Sequence, residues 1–135
     1  MSDIVIVRDE VQEGTDVSNV GAIVGGDGRT LLTHSDVAGV VSLDIFESRT
    51  QTPIYSTTFS AGSTGPLYDV PQDDDYWGLD DIGYNWRHKV TVAALALQGA
   101  AQLGGRRYLH VYRIPTVSYG TVRAVFEWKI GALPI

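Results

Sequence analysis

Apolar and polar residues alternate along two stretches of the chain, residues 40–46 and 119–130. Alternation with a period of two places every second side chain on the same face of a β-strand. Both stretches are therefore predicted to be half-buried strands with one face against the core. The side chains that we expect to face the interior are Val41, Leu43, Ile45, Phe126 and Trp128.

Shorter apolar runs between turn residues predict the other strands. They lie at residues 4–7, 20–24, 53–59, 67–70, 86–92 and 108–113. The short link after residue 113 predicts a terminal hairpin. Only residues 93–103, rich in Ala, Leu and Gln, have helical propensity, and their glycines limit them to a turn or short helix that crosses between sheets. The pattern predicts an all-β fold, an antiparallel sandwich of seven or eight strands.

The 135 residues contain no internal repeat or linker, and we interpret residues 20–135 as one sandwich domain. Residues 1–19 are polar apart from one β-prone run, and two alternatives remain for them. They form an extended arm that contacts a neighbouring subunit, or they contribute the first strand of their own sandwich. The residues of the possible subunit contact are Ile4, Val5, Ile6 and Val7.

Composition excludes several classes of function. The net charge is -6, and Arg106 and Arg107 form the only adjacent basic pair, so a basic face for nucleic acid is not expected. The absence of Cys excludes disulfides and Cys-ligated zinc. No run of about 18 apolar residues predicts a membrane span, and no signal peptide is evident, so we expect synthesis in the cytoplasm.

The candidates for chemistry are few. His34, His88 and His110 lie in no recognisable nucleophile context, and we expect structural or surface roles for them. The glycines of residues 25–28 predict a tight turn, because no Gly-Lys-Ser/Thr follows that would make a phosphate-binding loop. No catalytic residue and no cofactor site are predicted, and the protein is not expected to be an enzyme.

Residues 73–81 contain five carboxylates in nine positions. Calcium binds such oxygen-rich loops, but the spacing of an EF-hand is missing, so a solvated acidic loop is favoured over a metal site. The aromatic residues Tyr76, Trp77, Tyr84 and Trp86 surround and follow this loop. Anchoring of the core or the loop is the favoured role, and stacking on a sugar is the alternative.

Tyr108 follows Gly105 at the start of a late strand. This placement is typical of a tyrosine corner, in which the hydroxyl hydrogen-bonds back to the preceding loop.

One segment is more distinctive. Residues 77–88 read Trp-Gly-Leu-Asp-Asp-Ile-Gly-Tyr-Asn-Trp-Arg-His and resemble a Trp-x-x-Asp-x-x-Gly-Tyr-Asn-Phe/Trp-x-His pattern. The pattern is that of small immunoglobulin-like structural proteins of tailed bacteriophages. The pairs Asp27-Gly28, Leu32-Thr33 and Asp36-Val37 also resemble the opening of these proteins. The resemblance covers roughly residues 20–130, with Trp86 in place of Phe and an Ala-rich insert as departures.

The resemblance implies an immunoglobulin-like sandwich that is a virion component without enzymatic activity. We expect a capsid decoration or cement protein, with other virion proteins and further copies of itself as partners. A tail, baseplate or receptor-binding accessory domain is the first alternative, and a carbohydrate-binding module is the second. The motif residues, expected to hold structure together, are Trp77, Asp80, Gly83, Tyr84, Asn85, Trp86 and Tyr108. Among them, Gly83 is expected to supply a backbone angle unavailable to other residues, and the Asn85 side chain is expected to hydrogen-bond its own turn.

Overall fold

The computed structural model of the protein describes residues 2–12, 14–25, 28–61, 65–74, 83–100 and 103–131, without the side chains of residues 2–10 and 12. These residues form eight strands, a short α-helix and one 3-10 turn at His34–Asp36. The elements are β1 (Ser2–Gln12), β2 (Val17–Gly21), β3 (Val41–Glu47), β4 (Tyr55–Phe59), β5 (Leu67–Gln72), β6 (Tyr84–Val90), α1 (Val92–Leu97), β7 (Arg107–Pro115) and β8 (Thr121–Gly131).

The strands form two sheets. The larger has the order β1-β8-β7-β3-β4, and the smaller has the order β2-β6-β5. The prediction of an all-β fold is confirmed. All strand pairs are antiparallel except β1 and β8, which are parallel, so the expectation of a purely antiparallel arrangement is wrong at this one place. The chain passes to the other sheet after β1, so β1 forms no hairpin with β2 and lies along β8 instead.

The core lies between the two sheets. Along β3 the residues alternate between buried and half-buried, as they do along most of β8. This alternation confirms the prediction from the hydrophobic pattern, because the apolar side chains of both strands face the smaller sheet. The five predicted interior residues, all at most 6% exposed, are Val41, Leu43, Ile45, Phe126 and Trp128.

The connection between the sheets also agrees with the sequence pattern. Helix α1 crosses from β6 in the smaller sheet to β7 in the larger one. It begins after Thr91, whose Oγ1 accepts a hydrogen bond of 3.0 Å from the Ala94 amide. The predicted terminal hairpin is present as β7 and β8. Strand β2, in contrast, comprises Val17–Gly21 rather than residues 20–24, and its inner face carries the polar Asn19.

The N-terminal segment is a strand of its own sheet in this structure. Residues Ser2–Gln12 pair with β8, with a bulge between Val5 and Val7, and form one border of the larger sheet. Of the two alternatives for residues 1–19, the integral strand is therefore the one observed. A contact of Ile4 to Val7 with a neighbouring subunit stays a prediction.

The sandwich has two ends with different loops. The first end carries the β7–β8 turn and the long connection from β2 to β3, which are joined by a hydrogen bond of 2.8 Å from the Ala38 amide to the Pro115 carbonyl. The β5–β6 connection leaves from this end too, since Gln72 pairs with Tyr84. The second end carries the β3–β4 turn and the link from α1 to β7, joined by the Ser48 amide and the Arg107 carbonyl.

Candidate functional site

A network of buried polar side chains joins the two sheets. Its centre is Asn19 on β2, which is 0% exposed. Asn19 contacts His110 and Tyr112 on β7 and Trp128 on β8, and Tyr112 in turn contacts His88 on β6. The polar side chains of four strands are thus in hydrogen-bond contact within the core.

The hydrogen bonds of this network determine where the protons lie. The Asn19 Oδ1 accepts from the Trp128 indole at 2.6 Å, and the Asn19 Nδ2 donates to the Tyr112 hydroxyl at 2.8 Å. The second Nδ2 proton points to the His110 Nδ1, 3.0 Å away, which must accept it. The Tyr112 hydroxyl then donates to the His88 Nδ1 at 2.8 Å. This assignment leaves both imidazoles neutral, with their protons on Nε2.

Burial favours the same neutral state. It lowers the pKa of His88 from 6.5 to about 4. Burial, with a smaller contribution from nearby His88, lowers the pKa of His110 to about 3. Burial also raises the pKa of Tyr112 far above its usual value of 10. All three groups are therefore uncharged at neutral pH, and the ring of Phe59 stacks on His88 with centroids 4.4 Å apart. Such a network of hydrogen bonds fixes the position of one sheet relative to the other.

A second set of contacts surrounds Asn85, one of the predicted motif residues. Its Oδ1 accepts from the Ile23 amide at 2.7 Å, and its Nδ2 donates to the carbonyls of Ile23 and Leu32 at 2.9 and 3.0 Å. The expectation that Asn85 bonds its own turn is wrong. It lies inside strand β6, and its buried side chain holds the β2–β3 connection instead.

Gly83 precedes β6 with a φ of +102°, which confirms the expectation of a backbone angle that other residues rarely adopt. A Cβ atom added there would lie 2.5 Å from the carbonyl oxygen of Gln72. The residue therefore combines a left-handed conformation with a close approach of two backbone segments, which explains why this position requires glycine.

Replacing Gly83 by alanine is expected to lower the free energy of unfolding by about 3 kcal/mol, because backbone strain and steric overlap add. Gly120→Ala is the matched control, since Gly120 also has a positive φ of 69° but open space around it. The control is expected to cost only about 1 kcal/mol. Urea unfolding measures both, and equal costs would contradict the role of the Gln72 contact.

Of the other motif residues near Gly83, two are buried in the core and two lie outside the described residues. Trp77 and Asp80 lie outside the described residues, as does Tyr76. Tyr84 and Trp86 are buried, 1% and 0% exposed, and the Tyr84 hydroxyl donates to the Asp74 carboxylate at 2.8 Å. Within the described part of the chain, the Trp86 Nε1 has no hydrogen-bond partner. Trp86 therefore contributes through the packing of its ring rather than through a hydrogen bond. A Phe side chain, which the bacteriophage pattern also has at this position, would pack in the same way.

Tyr108 has the contact expected of a tyrosine corner. Its hydroxyl accepts a hydrogen bond of 2.9 Å from the Leu103 amide, five residues earlier. The side chain is 2% exposed and lies at the start of β7, just after the link from α1. The hydroxyl therefore fixes the chain where it enters the larger sheet.

His34 makes a side-chain contact with Asp69 that the sequence did not reveal. Its Nδ1 lies 3.2 Å from the Asp69 carboxylate, and its Nε2 faces the carbonyl of Leu67. The contact fastens the 3-10 turn to β5. No local sequence pattern connects the two residues, because they are 35 positions apart.

No group of three or more potential metal ligands is found among the described residues. Of the acidic loop, residues 73–81, the structure describes only Asp73 and Asp74, and both are exposed. The other three carboxylates of the predicted calcium-binding alternative lie outside the described residues. In the described part, no helix is long and apolar enough to cross a membrane.

No family model, no curated protein and no solved structure matches the chain. The function is therefore inferred from the fold, the contacts and the sequence motif.

Proposed function

We propose that the fold is an immunoglobulin-like sandwich of the variable type. Strand order supports this. In such domains the strands B, E and D form one sheet, and G, F, C and C′ form the other. Strands β2, β6 and β5 are adjacent in that order, as are β8, β7, β3 and β4, with the same succession along the chain. Tyr108 at the start of β7, the F position, adds support through its tyrosine-corner bond.

We further propose that the protein is a non-enzymatic structural protein of a tailed bacteriophage virion, a decoration or cement protein on the capsid. The open border of the larger sheet carries this proposal. Strand β1 ends that sheet, and among the described residues no other strand lies beyond it. Such a border pairs readily with an extended segment of another protein, because its outward amide and carbonyl groups need partners.

The opposite border of the same sheet is occupied at Ser56. The side-chain amide of Gln98, at the end of α1, bonds both backbone groups of Ser56 on β4, at 3.0 and 2.8 Å. Strand addition is thereby opposed at β4 and left available at β1. An interface restricted to one border suits a protein that joins an ordered particle in a single orientation.

The alternatives use the same molecule differently. A tail, baseplate or receptor-binding position would use the β1 border equally well, so it remains the second candidate. A carbohydrate-binding module would need exposed, coplanar aromatic rings. Burial of Tyr84 and Trp86 removes two of the four aromatic residues that would form such a platform.

The proposal is tested on virions of the phage that carries the gene. Mass spectrometry of purified virions is expected to find the chain at a fixed copy number, and its absence from them would contradict a virion role. Electron cryomicroscopy then locates it. Density on the capsid surface supports a cement protein, whereas density in the tail replaces that proposal with the tail alternative.

The β1 contact is tested by hydrogen exchange of the intact chain, free and particle-bound. Amides of residues 2–12 are expected to become more protected on binding, whereas those of β4 remain unchanged. Unchanged β1 exchange in the bound protein excludes this border as the interface. A chain lacking residues 1–10 provides the second measurement: if it stays folded, as judged by circular dichroism, and still joins particles, β1 docking fails.

A further inference from the structure

A basic groove lies at the second end of the sandwich. It has a volume of about 450 Å³ and is lined by Arg49 from the β3–β4 turn and by Arg106 and Arg107 at the start of β7. The chain has ten Lys and Arg residues and a net charge of -6, so three arginines on one groove make it a local exception. The side chains of Arg49 and Arg107 are 70% and 56% exposed.

The arginines of the groove have unused hydrogen-bond donors. The Arg49 Nε bonds the Glu47 carboxylate at 2.9 Å, and an Arg107 Nη1 bonds Glu127 at 3.2 Å. Within the described residues the guanidinium of Arg106 has no hydrogen bond or ion pair. Because each guanidinium carries five N–H donors and prefers paired oxygens, carboxylates are fitting ligands for this groove.

A smaller apolar pocket adjoins the groove. Its volume is about 300 Å³, and it shares Glu47 and Arg106 with the groove. Ile54, Leu103 and Tyr108 contribute to its walls, and Leu103 is a large apolar side chain that is 43% exposed. The two cavities together therefore fit a ligand with carboxylates next to a bulky apolar group.

The chain itself contains a segment of this chemistry. Residues 73–77 read Asp-Asp-Asp-Tyr-Trp, three carboxylates followed at once by two aromatic rings. This segment follows β5 and leaves from the first end of the sandwich, where Gln72 pairs with Tyr84. The groove lies at the second end, beside Arg107. The nine residues of β7 span about 30 Å between these ends. The five residues that follow Gln72 extend at most about 18 Å, so the segment cannot reach the groove of its own copy.

We propose that the basic groove binds residues 73–77 of a second copy of the chain, which gives a head-to-tail contact. The carboxylates pair with the arginines, and an aromatic ring enters the apolar pocket. The two surfaces are different, so the contact is heterologous and leaves one groove and one acidic segment free for further copies. The inference goes beyond the proposed virion role, because it concerns contacts between copies in any setting.

The test uses two variants that each lack one surface. Arg106→Glu alters the groove, and Asp73→Asn/Asp75→Asn neutralises the segment while keeping Asp74, which bonds Tyr84. In sedimentation velocity at low salt, the unchanged chain is expected to form concentration-dependent oligomers. Each variant alone is expected to associate about tenfold more weakly. A mixture of the two variants is expected to form a dimer that grows no further, because only one intact groove faces one intact segment.

Two controls define the outcome. Lys89→Glu makes the same charge change as Arg106→Glu on the smaller sheet and is expected to leave association unchanged. Salt at 0.5 M shortens the screening length to about 4 Å and is expected to weaken it. Thermal melts establish that each variant is folded.

The proposal is overturned if the unchanged chain stays monomeric at millimolar concentration, if both variants associate normally, or if the folded variants form no dimer when mixed.

Discussion

The substitution Asn19→Leu is expected to lower the free energy of unfolding by about 4 kcal/mol. The Asn19 amide bonds Trp128, Tyr112 and His110, and its removal leaves the buried indole N–H and the buried imidazole nitrogen unsatisfied. Each unsatisfied buried group costs about 1–3 kcal/mol, and members of one network are lost together. Leucine has the same number of side-chain heavy atoms with the same branching, so the substitution opens no cavity and the cost comes from the lost hydrogen bonds.

Urea unfolding with tryptophan fluorescence measures this effect. Ser18→Ala is the matched control, because Ser18 is the neighbouring residue of β2 and is only half-buried. The control is expected to change stability by less than about 0.5 kcal/mol. A cost for Asn19→Leu no larger than that of the control would mean that the network does not stabilise the fold.

Acidification from pH 7 to 5 is expected to destabilise the fold by about 2 kcal/mol through His110 alone. Its pKa in the folded protein is lowered from 6.5 to about 3, so the unfolded chain takes up the proton first. Stability is therefore fully present above pH 6.5 and falls by about 1.4 kcal/mol for each unit below it. His88, with a pKa lowered to about 4, acts in the same direction. Its contribution is smaller, because solvent reaches the ring and screens its charge.

The comparison is made with His110→Gln, which keeps a polar side chain facing Asn19 but does not titrate. His110 contacts Asn19, and His88 contacts Tyr112 and the rings of Phe59 and Trp86, none of which titrates between pH 5 and 7. The free energy of unfolding of the variant, measured with urea, is expected to depend on pH less steeply, by about 1.4 kcal/mol per pH unit. Equal slopes for both proteins would show that His110 is not buried in the neutral state.

The parts of the fold that the sequence predicted are those governed by local patterns. Alternation placed Val41 and Phe126 in the core because strand side chains alternate between faces. The same rule misplaced β2, since it assigns polar residues to the outside, whereas Asn19 lies inside. Asn19 and Trp128 are 109 positions apart, and no pattern in a single sequence connects them. The parallel pairing of β1 with β8 is non-local for the same reason.

The contact between Gln98 and Ser56 has a consequence for how the protein behaves at high concentration. Indefinite growth of a sheet from chain to chain requires two borders that accept strands, one on each side of every molecule. The larger sheet has one such border at β1, and the Gln98 amide occupies the backbone groups of Ser56 at the other. When two molecules pair through their β1 strands, each uses its one open border, and the sheet grows no further. The Gln98 contact therefore opposes fibre formation through this sheet as long as α1 stays folded against β4.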